Sequence, residues 1–515
     1  MAIRITGMAS GMDTDAMVKD LVSAYKKKGE SFTKTQTKTE WKQEAWTELN
    51  NKVKGFFNKY ASEMRFSSAY AKKKTDVSDN SKASVVAGEN AVSGSQKLQI
   101  TELAKSGYLT GAKLERKDAE GKPIEITANT KLSELGYTGS QSISIGFGKA
   151  DSEGKYANQT EEFDIDGDMT IADFTRLVSS SSSGINASFD EANGRIFVNS
   201  TKSGVANDFH FVGGDELSAL TDALGLTGSD DAVRIEGTDA EIYLNGAKFT
   251  SDTNTFSVNG LTITAKDKTS GEGISLTTDT DYDGIYGTLK DFFKEYNSLV
   301  NEMSKLYNAK SSKGFEPLTS EEKEEMSDDE VEKWESKIKD SLLRYDQDLN
   351  SIMNAMIDPM LSVYEINGTK YSLSSFGIET QDYFTAPDNE RNAYHIDGDD
   401  DDSVGAGKVN KLKNMIATKP EDTAQFFQNL MQGLYKSLND IQGTSNESTS
   451  YGSFYSDKQI KDDITAQKKK VTDWESKVAD IEEKYYKQFT AMEKAMTKLN
   501  SQQSSMASLF GTGAQ

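Results

Sequence analysis

The sequence contains no cysteine, which excludes disulfides, thiolate metal sites and cysteine nucleophiles together. Histidine is almost as scarce, because His210 and His395 are the only two, so a His-rich metal site is excluded as well. No run of about 18 apolar residues occurs, and we therefore expect no segment that spans a bilayer. The first residues also lack the apolar stretch of a secretory signal peptide, so we expect no cleavable signal.

Positive charge is in deficit. Lys and Arg number 59 against 82 Asp and Glu, which gives a net charge of -23. A field of this sign repels nucleic acid and anionic membranes, so we expect neither as a partner. The 515 residues have a mean hydropathy of -0.64, yet 9% are aromatic, so packed cores are possible in three or four domains. These figures favour a structural or interaction protein over an enzyme.

Motifs for catalysis or cofactor binding are also missing. Gly148-Lys149 and Gly407-Lys408 lack the earlier glycine of a phosphate-binding loop, and no Gly-x-Ser-x-Gly elbow follows a strand. The acidic run at 397–402 suggests a calcium loop, but its sixth position is not glycine and its twelfth is Lys408. We expect a solvated acidic loop there, no catalytic residue, no metal and no cofactor.

Both ends of the chain are free of proline over long stretches, which permits long helices. The N-terminal stretch has apolar residues every seven positions, and Asp13 is a plausible N-cap for the helix that carries them. The C-terminal stretch repeats the pattern more regularly. Such stripes predict a left-handed coiled coil or, alternatively, ordinary helix-bundle core, and a third stripe from Ile285 to Leu306 predicts another helix. The candidate assembly residues on the two terminal seams are Val18, Leu21, Tyr25, Trp46, Leu49, Val53, Ile464, Val471, Val478, Ile481, Tyr485, Met492, Leu499 and Met506.

The two seams are weak in places, since the N-terminal one is polar from Lys26 to Lys42 and the last residues are rich in Ser and Gln. A helix with a half-polar seam does not recover its ordering entropy without a partner. We therefore expect both ends to be mobile in the isolated protein.

Between the arms the pattern alternates with a period of two, as strands require. Asn193-Gly194, Asn245-Gly246 and Asn259-Gly260 separate several of these runs and are typical of tight hairpins. One short amphipathic helix is predicted from about Thr170 to Val178. The arms at the two chain ends are expected to pair, with the β-rich segment inserted between them.

Several motifs resemble one family. Gly7-Met8-Ala9-Ser10-Gly11-Met12-Asp13-Thr14 is similar to the opening Gly-Leu-Ala-Ser-Gly-Leu-Asp-Thr of flagellar filament cap proteins, the flagellar hook-associated protein 2 family. Gly184-Ile185-Asn186-Ala187 before Gly194-Arg195-Ile196 resembles the Ile-Asn motif of flagellin-associated proteins. Leu98-Gln99-Ile100-Thr101-Glu102-Leu103-Ala104, Tyr296-Asn297-Ser298-Leu299-Val300 and Tyr485-Tyr486-Lys487-Gln488-Phe489 also fit, in the right order. The segment from Glu316 to Tyr345 is longer and more acidic than a minimal member needs.

The resemblance implies an α+β multidomain fold: a helical, coiled-coil domain built from both chain ends, inserted antiparallel β-rich domains, and mobile terminal legs. The implied domains are legs at 1–40 and 456–515, a helical domain from 41–71 and 284–455, a β domain from 72–110 and 232–283, and an inserted β-rich domain at 111–231.

The resemblance further implies a non-enzymatic cap at the tip of the extracellular flagellar filament. Such a cap is a ring of identical chains, commonly five, that retains exported flagellin and promotes its folding and polymerisation. The implied partners are flagellin, the hook-filament junction proteins, and the flagellar type III export apparatus with its chaperone. An adhesin that binds host mucin or glycan through the β-rich domains is the alternative, and an enzyme is a third.

Overall fold

The computed structural model describes residues 11–180, 184–442 and 445–510. The start of the opening motif (7–10), residues 1–10 of the predicted N-terminal leg and residues 511–515 of the C-terminal leg lie outside these ranges. The described helices are α1 (Thr14–Phe56), α2 (Ile171–Ser180), α3 (Leu217–Ala223), α4 (Tyr282–Tyr307), α5 (Ser320–Glu324), α6 (Asp328–Lys339), α7 (Gln347–Met360), α8 (Lys411–Thr418), α9 (Pro420–Gln442) and α10 (Asp457–Phe510).

The strands lie between these helices along the chain. They are β1 (Lys73–Val77), β2 (Ala83–Ala87), β3 (Gly94–Glu102), β4 (Ser106–Thr110), β5 (Arg116–Lys117), β6 (Pro123–Ile124), β7 (Ser140–Ala150), β8 (Tyr156–Gln159), β9 (Phe163–Asp166), β10 (Ile185–Asp190), β11 (Arg195–Ser203), β12 (Phe209–Gly213), β13 (Val233–Ile235), β14 (Ala240–Leu244), β15 (Ala247–Ser251), β16 (Thr255–Val258), β17 (Leu261–Ala265), β18 (Ile274–Thr280), β19 (Tyr364–Ile366), β20 (Thr369–Tyr371), β21 (Ile378–Thr380) and β22 (Tyr394–Ile396).

The chain divides into two compact units. The helical unit combines Met1–Tyr70 with Tyr282–Gln515, and the β unit is the intervening Ala71–Asp281. The predicted fold class is therefore confirmed: a helical domain drawn from both chain ends, with antiparallel β-rich material inserted. The finer domain boundaries stay predictions.

The helical unit has one large core. The second half of α1 packs with α4, α7, α8, α9 and the first turns of α10, and the predicted α4 stripe lies inside this core. Aromatic rings fill its centre: the Phe292 ring lies 5.7 Å from Phe56 and 4.9 Å from Phe293. Asp13 caps α1 as predicted, because its carboxylate accepts a hydrogen bond from the Ala16 amide at 3.0 Å.

The β unit contains two separate cores. A five-stranded sheet (β1-β18-β3-β14-β15) and a three-stranded sheet (β16-β17-β2) enclose the first, around Leu98, Ile242 and Ile263. The second lies between the sheet β10-β11-β4-β13, the sheet β12-β7-β8 with β9, and helices α2 and α3. The strand pairs are antiparallel throughout the described sheets.

Two of the three predicted Asn-Gly hairpin turns are confirmed, whereas β10 and β11 are joined by the four residues 191–194, of which Gly194 has a positive φ of 64° and Asn193 does not. Asn245 and Gly246 have φ values of 51° and 85°, and Asn259 and Gly260 have 50° and 77°. Two successive left-handed residues are what a type I′ turn requires, and Asn-Gly adopts them at the lowest cost. The turns connect β14 to β15 and β16 to β17.

Candidate functional site

The two terminal helices pair with each other in antiparallel fashion. The Tyr486 hydroxyl donates to Asp15 Oδ1 at 2.9 Å, the Trp474 indole donates to the Tyr25 carbonyl at 2.8 Å, and Lys468 pairs with Glu40 at 3.2 Å. As the number on α1 rises, the number on α10 falls, so the helices run side by side in opposite directions. We call residues 14–45 of α1 and 457–493 of α10 the arm pair.

The arm pair joins the helical body at an aromatic contact. The Trp46 and Tyr455 rings stack at 5.0 Å with an interplanar angle of 2°. One turn further, Asn50 Oδ1 accepts a hydrogen bond from the Phe454 amide at 3.0 Å, and both residues are buried. These contacts fix the start of α10 against α1.

The structure divides the candidate seam residues into three groups. Those nearest the body, and the first one on α1, are buried, those in the middle are half-buried, and those at the far end of α10, together with one on α1, are exposed. The buried ones are Val18, Trp46, Leu49, Val53 and Ile464; the half-buried ones are Tyr25, Val471, Val478, Ile481, Tyr485 and Met492; the exposed ones are Leu21, Leu499 and Met506.

The second line of seam residues on α1 differs from the candidate residues at its N-terminal end only. Leu21, three residues after Val18, is 44% exposed whereas Val22 is 1% exposed, but Leu49, three residues after Trp46, is buried as expected. In the arm pair the covered line therefore runs from Val22 to Gly29, four residues after Val18 and Tyr25. A heptad seam alternates steps of three and four, and Val18 occupies the position before the longer step.

Sequence reasoning missed the contact between Gly29 and Trp474. A Cβ placed on Gly29 would lie 2.9 Å from Trp474 Cδ1, so the indole packs where any larger side chain would collide. The Phe32 ring meets the same indole edge-on at 5.6 Å. A glycine inside a proline-free helix was the available signal, since it costs stability unless close packing requires it.

The polar middle of α1 lies against the acidic segment 316–345, for which the sequence suggested no role. Lys34 pairs with Glu322 at 2.7 Å, and the Lys339 ammonium lies 4.6 Å from the centroid of the Trp41 ring. The Lys34 ammonium and the amide of Thr319 donate hydrogen bonds to the Glu322 carboxylate, and they lower its pKa below the usual value. Charged contacts here replace the apolar contacts that the seam lacks.

Beyond Glu493, α10 is exposed as far as its side chains are described. Leu499 and Met506, one heptad apart, are 59% and 58% exposed, and Met496 is also exposed. We call these three residues the distal stripe. An apolar stripe that is exposed along a helix is typical of a surface that docks elsewhere.

The acidic run was expected to be solvated, and this is wrong for part of it. Asp397 and Asp399 are buried and pair with Lys408 at 2.9 Å and Lys290 at 2.5 Å. These lysines neutralise the buried carboxylates. Within the described ranges, no group of three or more His, Asp or Glu side chains is arranged to hold a metal ion.

Exposed aromatic side chains would mark a glycan site, but the candidate tyrosines differ in their exposure to solvent. Tyr371 and Tyr455 are buried as packing residues, whereas Tyr282 and Tyr451 are exposed. As for the membrane, none of the helices within the described residues is both long and apolar enough to cross it.

Comparisons with known proteins give consistent results. The family model described as flagellar hook-associated protein 2 C-terminus matches residues 237–501, and the model for the N-terminus of the same protein matches 10–107. A flagellar hook-associated protein 2 of Halalkalibacterium halodurans is 25% identical over 99% of this chain and 100% of its own length. Another, from Thermotoga maritima, is 25% identical over 56% of this chain and 43% of its own. Among solved structures, the D1-D2-D3 domains of the flagellar cap protein FliD from Escherichia coli are 17% identical, with a TM-score of 0.48, over 77% of this chain and 97% of that one.

Proposed function

Because the chain belongs to the flagellar hook-associated protein 2 family, we propose that it caps the flagellar filament. As a ring of identical chains, commonly five, it sits at the extracellular tip, retains exported flagellin and promotes its folding and polymerisation. The observation that carries this proposal is the arm pair with its distal stripe. It is a long helical projection from the helical body that exposes apolar side chains at its far end.

The distal stripe suits docking onto other helices. Fully burying a Leu or Met side chain contributes about 1.5–3 kcal/mol, so the stripe of one chain gives weak attachment. In a ring, several stripes act together, and the effective concentration of each raises the overall affinity without new contacts. Each arm is then able to release and dock again as a flagellin subunit is added, while the ring as a whole stays attached.

The wider partners follow from the same proposal. The hook-filament junction proteins provide the first docking site, and flagellin provides the later ones. The flagellar type III export apparatus, with its chaperone, delivers the chain unfolded. The absence of cysteine supports this route, since no disulfide can form before export. No enzymatic activity and no cofactor are part of the proposal.

The adhesin alternative gains no support. The matched families and relatives are named for flagellar parts, and Tyr371 and Tyr455 serve as packing residues.

The experiment is deletion of the gene in the flagellated source strain, followed by complementation with the full chain. We expect the deletion strain to release monomeric flagellin into the medium and to carry no filaments, and complementation to restore them. Gold-labelled antibody against the β unit should mark filament ends in the complemented strain. Normal filaments in the deletion strain, or label distributed along the filament shaft, would contradict the proposal.

A further inference from the structure

The segment between α4 and α7 leaves the helical body and returns to it at nearly the same point. The Tyr345 amide donates to the Tyr307 carbonyl at 3.1 Å, and the two rings meet edge-on at 5.4 Å. Arg344 Nε donates to the Ala309 carbonyl at 2.8 Å. We call residues 308–346 the brace.

The brace has a small interior of its own. The Phe315 and Trp334 rings meet at 4.6 Å, and the Trp334 indole donates to the Glu316 carbonyl at 2.9 Å. Ile338 is buried, yet it is not part of the large core of the helical unit. Most of the brace is therefore an added module rather than a piece of the body's core.

The brace meets α1 through lysine contacts. Besides the Lys34–Glu322 pair and the Lys339–Trp41 contact, Lys42 pairs with Asp346 at 2.8 Å. Residues 316–345 contain eleven acidic and five basic side chains, whereas residues 26–42 contain six lysines and two glutamates. The two surfaces are thus opposite in charge, and attraction between them is favourable.

These contacts lie where the two helices of the arm pair bury the least apolar surface against each other. On one side lie the aromatic contacts of Trp474, and on the other the Trp46–Tyr455 stack. Between them the buried line of α1 carries Gln36 and Gln43, which contribute little apolar burial. An open cleft of about 760 Å³ separates part of the brace from the arm pair, so the connection consists of the lysine contacts rather than a packed interface.

We propose that the brace is a conformational device that ties the middle of the arm pair to the helical body. It holds α1 from Lys34 to Lys42 in place and confines opening of the arm pair to the part beyond Lys34. This role concerns the chain's own mechanics and holds whether or not the protein caps a filament.

The first test removes the brace from the full chain. Ser312 Oγ and Ser341 Oγ lie 2.6 Å apart, so a short Gly-Gly-Gly linker can join these two residues in place of 313–340. Hydrogen exchange should then become at least ten-fold faster in peptides that cover 26–42 of α1 and 461–474 of α10. Peptides from α4, α7 and α9 should keep their wild-type exchange rates, because their core is untouched.

The second test keeps the brace and weakens its contacts. Lys34→Gln, Lys42→Gln and Lys339→Gln together remove the three cations but leave the acidic partners, two of which also cap helices. We expect two- to ten-fold faster exchange in residues 26–42. The matched control is Lys19→Gln, Lys27→Gln and Lys38→Gln, three exposed lysines of α1 that make no ion pair with the brace, and it should change exchange less than two-fold.

The exchange rates of the two variants and the control decide whether the brace holds the arm pair. Faster exchange confined to the arm pair in both variants supports the brace. Unchanged exchange in the lysine variant, or equal acceleration in the control, would overturn it. Acceleration throughout the helical body after excision would also overturn it, because the segment would then belong to the core.

Discussion

A single buried asparagine links the first and last parts of the helical unit. Asn50 Oδ1 accepts a hydrogen bond from the Phe454 amide, and both residues are buried, where a backbone donor needs a partner. Asn50→Ala should reduce the free energy of unfolding by about 1–3 kcal/mol, the cost of leaving a buried donor unsatisfied. The neighbouring Asn51 is exposed, and Asn51→Ala should change stability by less than about 0.5 kcal/mol.

The measurement is urea unfolding followed by tryptophan fluorescence. The four tryptophans, at 41, 46, 334 and 474, all belong to the helical unit, so the signal reports this unit alone. Equal midpoints for the two variants would show that the Asn50 hydrogen bond contributes nothing.

Tyr394 makes the helical unit sensitive to alkaline pH. Burial raises the pKa of its hydroxyl to about 12, above the unfolded value of 10.0, because the phenolate is costly to desolvate. The folded state favours the neutral hydroxyl. Its contribution to the free energy of unfolding is therefore complete below pH 10 and is lost as the pH rises towards 12. Between pH 8 and pH 11 the wild type should lose about 1.4 kcal/mol more than Tyr394→Phe, since each pH unit above 10 costs about 1.36 kcal/mol. An equal loss of stability in the wild type and in Tyr394→Phe would contradict the raised pKa of Tyr394.

At the scale of elements, α10 consists of a covered and an exposed part. Its contacts with α1 reach Tyr486, which bonds to Asp15, some of its side chains stay covered up to Glu493, and Lys494 and Lys498 follow on exposed turns. Limited trypsin digestion should therefore cut first after Lys494 or Lys498, and more slowly at Lys26, Lys27 and Lys28 within the pair. Mass spectrometry of a digestion time course identifies the cuts. Early cleavage at the α1 lysines, as fast as at the α10 end, would show instead that the whole arm pair is mobile.

Much of the element pattern could be predicted from the sequence. The α4 stripe, the Asn-Gly hairpins and the Asp13 cap depend on neighbours within a few residues, and local signals of this kind are strong. Local sequence signals do not show which face of α1 is buried. Leu21 and Val22 are both apolar, and only the position of α10 decides that Val22 is covered.

Contacts between distant parts of the chain escaped prediction for the same reason. The Lys34–Glu322 pair spans 288 residues, and many acidic side chains could have partnered that lysine. The Gly29–Trp474 contact needs both helices placed before its close approach has meaning. Composition indicated that the acidic segment was unusual, but its contact with α1 depends on the tertiary structure.

At the scale of the whole molecule, the two chain ends of the β unit lie side by side. Lys73 pairs with Thr280 across β1 and β18, and the Asp281 amide donates to the Lys72 carbonyl at 2.9 Å, so the unit's two ends meet. A fragment of residues 71–281 should therefore fold alone, with a cooperative thermal transition by circular dichroism. A fragment without such a transition would show that the β unit depends on the helical unit.

The central claim is that the distal stripe attaches the arm pair to the filament. Charged substitutions nearer the body do not test this claim cleanly. Because Val478, Tyr485 and Met492 are half-buried in the arm pair, replacing any of them by Asp would separate the two helices. Leu499→Asp with Met506→Asp charges only exposed positions. Ser501→Asp with Ser504→Asp is the matched control, since it adds the same charge on the opposite face of the helix.

The most direct measurement is the fraction of flagellin found as filaments rather than as monomer in the medium, in a deletion strain that carries each variant. We predict that the Leu499→Asp, Met506→Asp variant loses most of its filaments and releases monomeric flagellin, while the serine control resembles the wild type. Equal filament fractions in the two variants, at equal amounts of exported protein, would contradict the account.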